Sequence, residues 1–154
     1  IEGACSDSHL QVERWSVDEL IVIAAPGHAR ALQPTRAQLA AAPWLLREPG
    51  SGTREEVERW LLTHLSSVRA DMELGNSEAI KRAVAAGLGL SCLSRSAVAD
   101  FLASGALVEV ATGLPPLVRQ LCLVRHRERP ATRGMQAFLA LAPALGPGVS
   151  PAGN

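Results

Sequence analysis

The sequence predicts an α/β fold in which largely parallel strands alternate with helices. An almost continuous apolar run at residues 20–25 has the composition of a strand that is buried on both faces. Shorter amphipathic segments follow it, with capping residues before them and glycine or proline after them. Strand-like and helix-like segments then alternate along the chain, as they do in layered α/β domains.

Capping and turn residues set the boundaries of the predicted elements. Two capping boxes are predicted, Thr35 with Gln38 and Thr53 with Glu56, and Ser77 is a favourable N-cap. The predicted strands are 18–25, 44–47, 71–74, 90–93, 107–110 and 120–124, and the predicted helices are 35–42, 54–65, 78–86, 132–141 and one that runs from a cap at Ser94 or Ser96 to about 103. Residues 143–154, rich in glycine and proline, are predicted to be a disordered tail.

Composition limits the class of protein. The 154 residues suffice for one domain, and a hydrophobic content of 47% supplies a core. The 15 basic and 15 acidic side chains cancel, so no net field attracts nucleic acid or a membrane surface. No apolar run approaches the roughly 20 residues needed to span a bilayer. Three scattered cysteines, without a Cys-x-x-Cys pair, indicate neither a disulfide framework nor a thiolate metal site and favour a cytoplasmic setting.

Sequence patterns for catalysis, cofactors and metals are absent. The only lysine, Lys81, does not belong to a Gly-x-x-x-x-Gly-Lys motif, which excludes a P-loop. Gly87-Leu-Gly89 precedes a strand and has Cys92 in place of the third glycine, so it does not predict a dinucleotide site. The four histidines lack metal-ligand spacing, and Ser51 lacks the flanking pattern of a nucleophile elbow. We therefore predict no catalytic residue, no cofactor and no metal.

Two helix N-termini carry the candidate binding residues. The turn Gly50-Ser51-Gly52-Thr53 precedes one helix, and Asn76-Ser77 precedes another. Their first-turn amides, with those of Ser51 and Gly52, would face an anion where the helix dipole is positive, although each pattern alone also fits an ordinary capped helix. If the preceding strands are parallel neighbours, both N-termini emerge at the sheet edge where α/β folds bind ligands. Donors without an activated acid, base or nucleophile favour recognition over catalysis.

A series of segments gives the sequence a family resemblance. The segments are Ile1-Glu-Gly3, residues 18–28, residues 39–46 around Ala42-Pro-Trp44, residues 48–54, residues 73–90, Leu93-Ser94 and residues 123–126. In this order they resemble the effector-sensing domain of bacterial LysR-type transcriptional regulators.

The resemblance implies a type 2 periplasmic-binding-protein-like fold, in which two subdomains hold an effector in the cleft between them. Residues 1–142 would form part of such a domain, namely essentially the whole second subdomain at about 17–118, both crossing strands and the last helix of the first subdomain. The winged helix-turn-helix that contacts DNA, and the first half of the first subdomain, would be absent. Different effector affinities of the open and closed clefts would then control DNA binding.

The resemblance also implies the site and its partners. Carried over by position, the residues facing the effector are Gly50, Ser51, Gly52, Thr53, Asn76, Ser77, Leu93 and Ser94; many family members have proline at the position of Ser94. The implied partners are a small, anionic effector, DNA only through the absent domain, and further copies of the chain in a homodimer or homotetramer. No membrane partner is expected.

Two other functions share this type of fold. A periplasmic-type solute-binding protein would need an export leader and a complete domain of its own. An enzyme such as a small-acid dehydratase or lyase would need converging titratable groups, which the sequence does not display.

Overall fold

Six strands and six helices make up the part of the chain that the computed structural model describes, which is residue 1, residues 7–29 and residues 33–141. The predicted tail at 143–154 lies outside these residues. The elements in chain order are β1 (Leu10–Ala24), α1 (Pro26–Ala29), α2 (Arg36–Ala41), β2 (Trp44–Arg47), α3 (Gly52–His64), β3 (Ala70–Leu74), α4 (Ser77–Ala85), β4 (Ser91–Ser94), α5 (Arg95–Ala103), β5 (Val108–Glu109), β6 (Leu117–His126) and α6 (Arg133–Leu141).

The chain divides into two compact units. Unit 1 comprises residues 1–18 and 118–154, and unit 2 comprises residues 19–117. Every buried hydrophobic side chain among the described residues belongs to unit 2. Unit 2 therefore holds the hydrophobic core that the apolar content of the sequence predicted.

Strand β1 shows why the apolar run becomes a central strand. Leu20, Val22 and Ala24 face one core cluster, and Ile21 and Ile23 face another. Successive residues of a strand point to opposite faces, so a run without polar positions buries both faces of the sheet. The prediction of a doubly buried strand is confirmed, although β1 begins eight residues earlier than predicted, at Leu10.

The strand directions are mixed. Strand β2 pairs in parallel with β3, and an isolated parallel bridge joins Trp44 of β2 to Leu90, the residue before β4. Strand β1 is antiparallel to both β4 and β5, and it also pairs with β6. The prediction of largely parallel strands is therefore right for β2 and its neighbours and wrong for β1, because an apolar pattern reports burial but not strand direction.

The helices cover the two faces of the sheet in unit 2. On one face, Val57 and Leu61 of α3 pack with Trp44 and Leu46 of β2. On the other face, helices α4 and α5 contribute Ile80, Val84 and Val98, which pack with Leu45 of β2 and Leu93 of β4. Alternating residues of β2 thus anchor opposite layers, which gives unit 2 its layered α/β architecture.

Helix α2 confirms one of the predicted capping boxes. The Thr35 hydroxyl accepts a hydrogen bond from the Gln38 backbone N–H at 3.2 Å, and the Thr35 N–H donates to Gln38 Oε1 at 2.8 Å. Both orphan donors at the start of the helix are satisfied in this way.

No helix in the described part of the chain combines the length and the apolar character that crossing a bilayer requires.

Candidate functional site

The candidate binding residues gather where three strands of unit 2 end. Arg47 and Leu74, the last residues of β2 and β3, lie opposite each other in the parallel register, and helices α3 and α4 begin shortly after them. Because the bridge at Trp44 and Leu90 is also parallel, β4 ends at the same edge and leads into α5. The condition set by the sequence, that the two strands be parallel neighbours, is met. Three helix N-termini share this edge, which we call the ligand edge.

The first opening is the turn before α3. Gly50 has a φ of 86°, a left-handed conformation that glycine adopts without steric cost. The Ser51 N–H donates to the carbonyl oxygen of Glu48 at 3.2 Å, and Ser51 is the N-cap residue by its position, without a side-chain capping bond. The prediction that the Ser51 amide would be available to an anion is therefore wrong, because the turn itself uses that donor.

The capping box predicted for Thr53 and Glu56 is also wrong. Helix α3 begins at Gly52, directly after the turn, so Thr53 is the second helical residue. Thr53 is also buried. Glu56 pairs with Arg59 at 2.9 Å. Glycine can occupy the first helical position, and here it starts the helix before the threonine that the pattern assigned as its cap.

The second opening, before α4, is capped by asparagine. Asn76 is the N-cap, and its Oδ1 accepts a hydrogen bond from the Ala79 N–H at 2.8 Å. Ser77, which the sequence suggested as a cap, is the first helical residue and is half-buried. Asparagine and serine are about equally good N-caps, so sequence alone could not choose between these neighbours.

The third opening lies at the end of β4, and its two predicted residues differ in burial. Leu93 as a whole is only 1% exposed and belongs to the core. Ser94 is the N-cap of α5 by position, and its hydroxyl lies 2.8 Å from that of Ser96.

Arginine side chains that sequence reasoning missed also lie along the ligand edge. Arg54, in the first turn of α3, donates through Nη1 to the carbonyl oxygen of Arg47 at 3.0 Å and to Glu73 Oε1 at 2.7 Å. Its Nε donates to Glu58 Oε1 at 2.9 Å. The hydrogen bond that Arg54 donates to Glu73 is the largest of the effects that raise the pKa of Arg54. Glu58, four residues along the helix, is a partner that sequence spacing could suggest, whereas Glu73 on another strand is not.

Arg95, the first residue of α5, is held by two carboxylates. It binds Glu109 through two hydrogen bonds of 2.8 and 2.9 Å and Glu19 through one of 2.6 Å. These bonds raise its pKa, with Glu109 contributing most. A planar guanidinium group carries several N–H donors and can bind two carboxylates at once. The Arg95 side chain therefore joins α5 to β1 and β5.

Arg47 and Glu48 form an ion pair in the turn that leads to α3. Two bonds of 2.7 Å connect them, from Arg47 Nε and Nη2 to the two carboxylate oxygens. The hydrogen bond from Arg47, followed by one from the backbone, lowers the pKa of Glu48 to about 2. The polar chemistry of the ligand edge thus combines helix N-termini and hydroxyl groups, which suit an anion, with guanidinium groups that are already paired to carboxylates.

Within the residues that the structure describes, no three histidine, cysteine, aspartate or glutamate side chains converge as metal ligands. Two cavities in the described part of the chain are lined by other residues. In unit 2, a cavity of about 220 Å³ lies beside β1 and the segment 109–117. In unit 1, an apolar cavity of about 350 Å³ lies between β6 and α6.

The fold and the ligand edge define a ligand-binding domain of the type 2 periplasmic-binding class, and the chain matches the LysR substrate binding domain over residues 1–145. It belongs to that family, the effector-binding domains of LysR-type transcriptional regulators.

Two curated relatives and one solved structure show the closeness of this relationship. The chain is 52% identical over 140 residues to the uncharacterised HTH-type transcriptional regulator YeiE of Escherichia coli (strain K12), covering 90% of this chain and 48% of YeiE. It is 35% identical over 147 residues to the RuBisCO operon transcriptional regulator of Acidithiobacillus ferrooxidans, with 90% and 47% covered. The CcmR regulatory domain of Synechocystis PCC6803, solved in complex with 2-PG, has a TM-score of 0.79 and 27% identity, covering 97% of this chain and 73% of that one.

The chain spans about half the length of the curated relatives it matches. Those relatives are transcriptional regulators, so the comparisons support a regulator domain and give no support to the solute-binding protein.

Proposed function

We propose that this chain senses a small anionic metabolite and thereby controls DNA binding by a helix-turn-helix domain of the same regulator. Membership of the LysR substrate-binding family is the observation that carries the proposal. The regulator would act in the cytoplasm as a homodimer or homotetramer, and its effector domain would bind its ligand without transforming it.

An anionic ligand is favoured by the chemistry of the ligand edge. The N-termini of α3, α4 and α5 place positive ends of helix dipoles along one edge of unit 2. We propose that the effector contacts this edge through Gly50, Ser51, Gly52 and Thr53 at the first opening, Asn76 and Ser77 at the second, and Leu93 and Ser94 at the third. In this proposal Ser51 contributes its hydroxyl, since the turn uses its N–H, and Leu93, which is buried in the core, is the least exposed of the eight residues.

Binding alone does not make a sensor. The effector shifts the regulator between states only by as much as its affinities for those states differ. A coupling of 1–3 kcal/mol, about 5–150-fold in affinity, is the usual range for such regulation.

The first compound to test is 2-PG, because the CcmR regulatory domain was solved with it and shares 27% of its residues with this chain. The full-length regulator that contains this domain should be titrated with 2-PG, other small carboxylates and inorganic phosphate by calorimetry. A true effector present at a hundred times its Kd should stabilise the protein by about 2.7 kcal/mol and raise its Tm. Thermal stability that is indifferent to every small anion would contradict the proposal, and turnover of a carboxylate substrate would revive the enzyme alternative.

A further inference from the structure

Arg54 occupies a position that local electrostatics disfavours. It is the third residue of α3, where the helix dipole is positive and acidic residues are preferred. Its side chain is nevertheless only 13% exposed and makes three hydrogen bonds. A cation held in the first turn of a helix against the dipole requires an explanation beyond the stability of that helix.

The partners of Arg54 belong to three different elements. Nη1 contacts both the carbonyl oxygen of Arg47, the last residue of β2, and the carboxylate of Glu73 in β3. Nε contacts Glu58 in α3. One rigid, planar group therefore ties the start of α3 to the ends of the two strands that precede α3 and α4.

These contacts lie next to two helix openings. Glu73 lies three residues before Asn76, the cap of α4, and Arg54 immediately follows Thr53 at the first opening. A change in the bond between Arg54 and Glu73 would therefore move one opening relative to the other. A ligand that contacts both openings binds more tightly when their spacing is fixed in advance.

We propose that Arg54 is a positioning residue that sets the spacing of the α3 and α4 openings for the effector, without itself being an effector ligand. This inference rests on the function proposed above. A positioning role differs from a role in attracting anions by charge, because the guanidinium group of Arg54 is already shared by two carboxylates.

The first test needs no effector. Amide resonances of the ¹⁵N-labelled 154-residue chain should be compared between wild type, Arg54→Gln, Arg54→Lys and Glu73→Leu. Arg59→Gln is the matched control, since Arg59 lies on the same helix and pairs with Glu56 but is 65% exposed. We expect Arg54→Gln and Glu73→Leu to shift the amides of residues 50–53 and of 76–79, and Arg59→Gln to leave 76–79 unchanged. Shifts confined to α3 in Arg54→Gln would overturn the proposal.

The second test measures affinity for 2-PG in the full-length regulator. Arg54→Gln and Glu73→Leu should each weaken binding at least fivefold, and Arg54→Lys should weaken it as well, because an ammonium group cannot hold the three acceptors in one plane. Glu73→Leu is the decisive variant. It removes a negative charge, so a purely electrostatic role of this region predicts tighter binding of an anion, whereas a positioning role predicts weaker binding.

The outcomes separate this inference from the proposed function. Wild-type affinity in Arg54→Lys, or tighter binding in Glu73→Leu, would overturn the positioning role. Equal losses in Arg54→Gln and Arg59→Gln would do the same, since they would reduce the effect to net charge. If the wild-type regulator binds no 2-PG, that choice of effector fails, and the amide shifts still decide the role of Arg54.

Discussion

Gly89 lies where the chain passes close to Pro43 and to strand β2. Its φ is 157°, and a Cβ atom there would overlap the carbonyl oxygen of Pro43 and come within 2.7 Å of Leu45 Cδ1. The same carbonyl accepts the Leu90 N–H at 2.9 Å, so it cannot move away without loss of that bond. Gly87-Leu-Gly89 does not match a dinucleotide-binding motif, and the close approach to Pro43 gives a packing reason for glycine at position 89.

We expect Gly89→Ala to lower the free energy of unfolding by about 3 kcal/mol, from backbone strain and displacement of the Pro43 carbonyl. Gly87→Ala is the control, because Gly87 has a φ of 82° but open space around it, and strain alone should cost about 1 kcal/mol. Urea denaturation of both variants measures the difference. Equal losses would show that the close approach to Pro43 carries no cost.

Two of the three N-caps at the ligand edge, Asn76 and Ser51, should differ in how much they stabilise the chain. Asn76 makes a side-chain capping bond to the Ala79 N–H, whereas Ser51 makes none. Asn76→Ala should therefore destabilise the chain by about 1 kcal/mol, and Ser51→Ala by less than about 0.5 kcal/mol. Denaturant midpoints check this, and they also supply the stability correction needed before any loss of effector affinity in these variants is interpreted. A larger loss for Ser51→Ala would contradict the assignment.

Glu48 predicts an acid dependence of stability. Its pKa is lowered from 4.5 to about 2 in the folded chain, first by the hydrogen bond from Arg47. The unfolded chain thus binds more protons in this window, so the contribution of Glu48 is complete above about pH 4.5 and is lost as the pH falls through about 2. The carboxylate is exposed to solvent, so salt should weaken the effect.

Glu48→Gln should consequently destabilise the chain at pH 6 and do so less at pH 2.5. Urea unfolding of both proteins at the two pH values measures this, with Glu55→Gln, at an exposed glutamate of α3, as the control. If Glu48→Gln lowered the free energy of unfolding by the same amount at both pH values, the result would argue against the ion pair with Arg47.

At the scale of elements, sequence patterns predicted the positions of helices and strands better than they predicted whether the strands run parallel or antiparallel. Helix α6 and strand β3 lie within one residue of their predicted bounds, because turn residues mark their ends. The polar first half of β1 was missed because residues 10–17 lack an apolar run. The antiparallel pairing of its apolar half, at residues 20–23, depends on contacts with Ser91–Ser94 far along the chain. The period of the hydrophobic residues indicates which face of a strand is buried, whereas the tertiary structure decides which strands pair.

Helix α6 leads to a prediction of its own. It has no buried residue, and its exposed Met135 and Phe138 line the apolar cavity of about 350 Å³ in unit 1. We expect the 154-residue chain to bind the dye ANS at this surface, and Phe138→Gln to lower its fluorescence. Leu62→Gln on α3 is the control, since Leu62 is 58% exposed, close to the 55% of Phe138, but lies outside that cavity. An equal effect of both variants would contradict the assignment of the dye to α6.

At the scale of the molecule, the family and the openings could be anticipated because their signals are local. Gly50 to Thr53 and Asn76 to Ser77 are short runs whose chemistry is visible in sequence. The ion pair of Arg54 with Glu73 joins residues 19 positions apart on different elements, and no spacing rule connects them. The charges that shape the ligand edge therefore became visible only once the strands were paired.

The distribution of buried side chains predicts how the whole chain unfolds. Unit 2 is one continuous segment, residues 19–117, and it contains every buried hydrophobic side chain among the described residues. Because apolar burial is the main stabilising term, native-state hydrogen exchange should show the highest protection in β2, β4 and α4 and low protection in α6.

The segment 19–117 produced alone should then fold, with blue-shifted Trp44 fluorescence and a cooperative urea transition close to that of the full chain. Leu61→Ala is the positive control, because Leu61 is fully buried in unit 2 and its truncation should cost about 2–5 kcal/mol in both proteins. Trp60 also lies in this segment, so the segment should carry Trp60→Phe, which leaves Trp44 as the source of its tryptophan fluorescence. A segment that stays unfolded while the full chain folds would mean that unit 1 contributes stability that its exposed side chains do not reveal.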